Sequence, residues 1–162
     1  MPLIKHGRRI DDPYARILGD EPVPADRAAL VDGARLLANA GVAAGRTAPL
    51  GVVWPNDRPV AELAPYLHGL ALVALVFPTF KDGRAYTQAR QLREQLGWTG
   101  ELRATGNVLR DQFLLMARAG FDAFEITKAG DIDALSDALQ RYRRFYQPAA
   151  DGAPTMRRAR LG

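Results

Sequence analysis

Three short polar runs each follow an apolar one, and they hold the residues whose types and spacing could do chemistry. They are Thr79 to Arg84, Thr105 to Asn107 with Arg110 and Asp111 just beyond, and Thr127 with Lys128. Cations beside the start of a helix suit a small anion, because free backbone amides and the helix dipole favour negative charge there. The candidate anion site is Lys81, Asp82, Gly83, Arg84, Arg103, Asn107, Arg110 and Asp111. The plainer reading is strong: Lys-Asp-Gly-Arg is also an ordinary turn, Asp82 a ready cap, and Arg110 with Asp111 ordinary surface charges. Tyr86 and Arg90, one helical turn apart, have the spacing of a proton-transfer pair, although a tyrosine in the first turn more often packs on the strand before it. No residue is nominated as catalytic.

The elements that must position these runs are legible from hydrophobic patterning. Leu70 to Phe77 is apolar on consecutive residues, as in a strand covered on both faces of a parallel sheet. Pro78 ends it, and Gly83 to Leu96 follows as a helix with Ala85, Ala89, Leu92 and Leu96 on one face. The strand ELRAT (101–105), a turn at Gly106-Asn107, and a helix with Leu109, Phe113, Met116 and Ala117 inward repeat the pattern. FDAFEI (121–126) is the next strand, and Gly130-Asp131 opens a last helix carrying Ile132, Leu135, Leu139, Tyr142 and Tyr146. Upstream, PLGVVW (49–54) reads as a strand, and VAELAPYL as a helical segment cut by Pro65. A helix from Asp26 to Gly41 is expected, with Leu30, Ala34 and Leu37 on one face. Prolines at 2, 13, 22 and 24 make the start an extended arm with room for one short strand, lying over the domain.

These elements predict a single α/β domain of about four parallel strands each followed by a helix, either an open doubly wound sheet or a half-barrel. In both, ligands sit beyond the carboxyl ends of the strands. The expected divisions are an arm over 1–24, the α/β domain over 25–147, and a basic tail over 148–162 that reads as disordered.

Composition excludes several classes. No cysteine is present, which removes disulfides, thiol redox chemistry and cysteine-ligated zinc or iron–sulfur centres. The two histidines, His6 and His68, are too far apart in sequence to suggest a metal site, and none is expected. Dinucleotide-binding, Walker, nucleophile-elbow and zinc-protease motifs are all missing, so no cofactor is assigned. The net charge of +4 is uneven: residues 141–162 carry six Arg and one Asp, whereas 1–140 carry 16 Lys plus Arg against 17 Asp plus Glu. A nearly neutral body makes nucleic acid the least favoured partner. The charged first residues do not read as a signal peptide and no run is long enough for a membrane span, so a cytoplasmic setting is the default expectation.

Over residues 77–126 the chain closely resembles a known family. The stretch FPTFKDGRAYTQARQLREQLGWTGELRATGNVLRDQFLLMARAGFDAFEI carries the likeness through Phe77, Pro78, Phe80, Asp82, Gly83, Arg84, Tyr86, Arg93, Gly100, Arg103, Gly106, Leu109, Asp111, Gln112, Asp122 and Phe124, among others. It is similar to the small proteobacterial proteins encoded beside assimilatory sulfite reductase, labelled as a domain of unknown function or as an oxidoreductase. The likeness is looser over 49–76 and does not cover the arm or tail. At Asn107 the family more often has Asp, which weakens any scheme needing a negative charge there.

The resemblance implies a role in sulfur assimilation. Sulfite reduction takes six electrons, and a chain with no cysteine and no recognisable cofactor motif cannot carry them alone. The leading expectation is an accessory protein that partners sulfite reductase or another sulfur-assimilation enzyme, supporting its assembly, stability or electron supply. The alternative is a small oxidoreductase or anion-binding enzyme acting on a sulfur oxyanion or phosphate at the strand ends. Unpaired sheet edges, and an aromatic cluster at Tyr142, Phe145 and Tyr146 interleaved with arginines, lead to an expected homodimer or stable heterocomplex.

Overall fold

A computed structural model describes residues 3–5 and 8–126. Eight strands form one mixed sheet: β1 (Leu3–Lys5), β2 (Arg8–Ile10), β3 (Ala15–Arg16), β4 (Ala29–Asp32), β5 (Leu50–Trp54), β6 (Leu72–Phe77), β7 (Glu101–Gly106) and β8 (Ala123–Glu125). Their order is β2-β1-β8-β7-β6-β5-β4-β3. β3 to β8 are parallel and adjacent in chain order, while β1 runs antiparallel between β8 and β2. A doubly wound sheet needs a reversal of strand order, and here the parallel strands never reverse. Crossovers of one hand then fall on one face, and the sheet curls away from them as a half-barrel.

The degree of curl follows from a short connection. β2 and β3 are the two edge strands, and only residues 11–14 join them. Seven strand spacings on a flat sheet would separate the edges by about 34 Å. Five residue steps reach at most about 18 Å. The edges must therefore approach, and an ion pair of 3.0 Å from Arg16 on β3 to Glu125 on β8 bridges the gap. β2 points the same way as β8, so residues 11–14 must return from the carboxyl side to the amino side across the concave face.

Helices α1 (Gly33–Ala38), α2 (Arg84–Arg90) and α3 (Phe113–Arg118) follow β4, β6 and β7. The expected pattern of four strands, each followed by a helix, is thus not what forms. After β5, Pro59 and Pro65 leave only two 3-10 turns, Val60–Leu63 and Leu67–Gly69. The helix expected from Asp26 is also corrected, because Ala29–Asp32 is strand β4 in register with β5 from Ala29↔Leu50 to Asp32↔Val53. Leu30 packs on the concave side with Leu72 and Ala74, while Ala29 and Val31 enter the main core. Burial on both faces outweighs the local three-and-four spacing that suggested a helix. The arm contributes three strands rather than one, since its prolines at 13, 22 and 24 fall between strands.

The main core lies between sheet and helices. Val73, Leu75, Phe77, Leu102, Ala104 and Phe124 meet Ala85, Ala89, Leu92, Phe113 and Met116, as the helical faces predicted, whereas Leu109 stays outside before α3 begins. At the amino ends of the strands, Arg93 clasps the structure by donating to Gly120 O, Trp98 O, Gly100 O and the Asp122 carboxylate. Asp122 also accepts from the Leu102 amide, so these two residues of the resemblance join the π-helical turn Gln91–Gln95, which continues α2, to the starts of β7 and β8. The last helix, Thr127, Lys128, His6 and the basic tail lie outside the described residues.

Candidate functional site

At the carboxyl end of β6 the chain turns at Pro78, and the Asp82 amide donates to Thr79 O. Asp82 then accepts from the Arg84 amide at 3.2 Å and grips the Arg84 guanidinium at 3.0 and 2.6 Å. The guanidinium and backbone amide of Arg84 hold the Asp82 carboxyl well below the usual carboxylate range. Gly83 precedes the first turn of α2. Lys81 lies over the exposed ring of Phe80, 5.6 Å from its centroid.

The next corner is tied to this one. The Asn107 amide donates to Phe77 O at 2.7 Å, and Gln112 Nε2 donates to Phe80 O at 3.0 Å. Asn107, Arg110 and Asp111 are exposed. The structure therefore brings Lys81, Asp82, Gly83 and Arg84 into one turn and sets Asn107, Arg110 and Asp111 on its neighbour. An anion arriving there would compete with Asp82 for Arg84. Sequence reasoning passed over a third contributor, the loop after β5. Gln88 Nε2 donates to Pro55 O and Arg58 O, and the buried Asn56 Nδ2 has no hydrogen-bond partner among the described residues.

Arg103 is not with these residues. Alternation along β7 turns Glu101, Arg103 and Thr105 to the concave face, and there the Arg103 side chain is 0% exposed. A guanidinium has five N–H donors, and all five are used. Nε donates to Glu101 at 3.0 Å; Nη1 to Asp12 at 2.7 Å and Glu125 at 3.3 Å; Nη2 to Glu101 at 2.8 Å and Asp12 at 3.1 Å. Burial by itself would lower the Arg103 pKa, but Asp12 and Glu101 more than offset this and raise it. Lys5 pairs with Glu101 and Arg16 with Glu125, so three cations face three carboxylates. Thr105 Oγ1 donates to Glu125 and the Tyr14 ring covers Arg103 at 5.6 Å. The available signal was the i, i+2 placement of Glu101 and Arg103; their partners on the arm are separated from them by most of the chain.

Tyr86 resolves toward packing. Its ring meets Phe77 edge-on at 5.2 Å, and its buried hydroxyl has no partner among the described residues. With Arg90 and Leu115 it lines a groove of about 480 Å³ beside α2. Burial raises the Tyr86 pKa, so the unfolded chain loses this proton first and stability falls as pH climbs above about 10. Tyr86→Phe is expected to raise stability by about 1 kcal/mol by removing an unsatisfied hydroxyl, and to flatten the alkaline loss. Urea unfolding of both proteins at neutral and alkaline pH checks this; a destabilised variant would show that the hydroxyl has a partner.

Among the described residues no group of three or more His, Cys, Asp or Glu side chains is disposed to hold a metal ion, and no helix is long and apolar enough to cross a membrane. Fold and surface together define an α/β half-barrel with polar corners at the carboxyl ends of its central strands and a concave face closed by its own arm. The family described as bacterial protein of unknown function (DUF934) matches residues 51–156, and the chain belongs to that family. No curated protein compared with the chain matches it.

Proposed function

We propose that this is an accessory protein of sulfur assimilation that docks on sulfite reductase or a related enzyme through the two corners after β6 and β7. The observation that carries the docking surface is the pairing of Phe80, 47% exposed, with Leu109, 39% exposed, on turns linked by Gln112. Lys81 and Arg110 flank them, and aromatic and arginine side chains are favoured at interfaces. A partner surface with an apolar recess and acidic rim fits this composition. What supports the sulfur pathway is the resemblance over residues 77–126, whose carriers Phe80, Asp82, Arg84, Leu109, Asp111 and Gln112 build these corners.

The test is recovery of partner by tagged full-length chain from cells grown on sulfate as sole sulfur source. The parent should recover sulfite reductase or another enzyme of the pathway, and a Phe80→Asp, Leu109→Asp variant should lose at least tenfold of it while keeping its melting temperature. Equal recovery by the variant would remove the docking surface, and no pathway enzyme with the parent would remove the role.

The second reading, a small enzyme or sensor for a sulfur oxyanion or phosphate, is favoured by the shared corner of Lys81, Arg84, Asn107 and Arg110. It requires millimolar sulfate or sulfite to raise the melting temperature and Arg84→Ala to abolish the rise. Because Asp82 already holds Arg84, the expected result is no rise beyond a chloride control of equal ionic strength. A sulfate-specific rise that Arg84→Ala removes would put this reading first.

A further inference from the structure

Arg103 presents two of its five N–H groups to a single exposed segment. Asp12 takes them end-on with both carboxylate oxygens, at 2.7 and 3.1 Å, while Glu101 and Glu125 take the other three. This fork is the geometry with which arginine binds any carboxylate. The two sides of the pair differ in access: the Arg103 side chain is 0% exposed and that of Asp12 26%, with Asp11 and Pro13 exposed on either side.

The segment is held lightly. Among the described residues, 11–14 make no backbone–backbone hydrogen bond; the one local bond is from the Tyr14 amide to Asp12 Oδ1 at 3.1 Å. Two side chains therefore attach it to the sheet, Asp12 on Arg103 and Tyr14 against Leu30, Leu72 and Ala74. Segments with few backbone bonds open at low free-energy cost. Charge then limits what can enter. With Asp12 in place, Lys5, Arg16 and Arg103 balance Asp12, Glu101 and Glu125; with it lifted, one positive charge is left over.

We infer that Arg103 is a binding seat for a small carboxylate monoanion, which Asp12 occupies from within the chain and vacates when residues 11–14 lift. A planar two-oxygen group with a single charge fits both the fork and the residual charge. Dianionic sulfate or phosphate would place a second negative charge beside Glu101 and Glu125. The seat is separate from the docking corners, since none of its residues is Phe80, Lys81, Leu109 or Arg110.

Formate is the probe, with chloride and sulfate as controls at equal ionic strength. In Asp12→Ala, melting temperature should fall below the parent's, formate should restore it, and formate should bind at least tenfold more tightly than to the parent. Asp12→Asn keeps the side-chain shape and its bond to Tyr14, and replaces the alanine variant if that does not fold. The parent supplies a readout that needs no variant: formate displacing Asp12 lifts the Tyr14 ring from Leu30, Leu72 and Ala74, so the Tyr14 ring resonances should move toward those of an exposed tyrosine at saturating formate and not with chloride. Formate acting no better than chloride on the variant, sulfate restoring it equally, or unchanged Tyr14 ring resonances in the parent would each overturn the proposal.

Discussion

Replacing Arg103 by methionine is expected to cost about 3–5 kcal/mol of stability, the largest effect of any single change proposed for this chain. Methionine fills much of the same space but supplies none of the five N–H donors. Glu101 and Glu125 would then face each other across the concave side with only Lys5 and Arg16 to answer them, and their side chains are too deeply covered for water to do so. The arm would also lose the Asp12 anchor that closes the sheet. Arg103→Lys keeps the charge without the planar fork and should fall between parent and methionine variant. In urea the midpoint should drop at unchanged slope. Adding Glu125→Gln to the methionine variant should return part of the loss, because neutralising the stranded carboxylate removes its desolvation cost. A loss under about 1 kcal/mol with Arg103→Met would mean that the network is not what holds the arm.

Gly106→Ala is expected to cost about 2–4 kcal/mol, from two sources that add at one position. The residue has φ +91°, a conformation that side-chain-bearing residues rarely adopt, and a β-carbon there would lie 2.6 Å from Phe77 O. That oxygen is backbone and already accepts from the Asn107 amide at 2.7 Å, so it cannot swing aside. Relief would have to come from shifting the end of β7 against β6, which moves both corners proposed for docking together. Thermal unfolding of the variant, with partner recovery measured below its transition, checks both consequences. A melting temperature within a degree or two of the parent's would show that the corner relaxes more freely than its geometry indicates.

The sequence by itself determined the parts governed by local pattern. Consecutive apolar residues from Leu70 to Phe77, bounded by Pro78, specify a strand covered on both faces, which forms over Leu72–Phe77, and the four-three-four spacing of Ala85, Ala89, Leu92 and Leu96 specifies the face that α2 and the helical turn after it present to the sheet. The corner residues Lys81, Asp82, Gly83 and Arg84 were legible as a turn because Pro78, Gly83 and Asp82 each carry a local backbone preference. Family membership was legible from the same stretch.

Tertiary structure alone decided what depended on distant partners. Ala29–Asp32 became a strand because parallel pairing with β5 buries both its faces, against a helical spacing that a local reading cannot discount. The half-barrel prevailed over the doubly wound sheet through strand order, a property of pairing between segments rather than of any one of them. Arg103 stands at a place in ELRAT where alternation says only that it shares a face with Glu101. Whether that face meets water or a covering arm depends on Asp12 and Tyr14, about ninety residues away in sequence, lying across it. A residue's type and its neighbours carry its backbone tendency, whereas its burial and charge environment are set by whichever remote segments the fold brings over it.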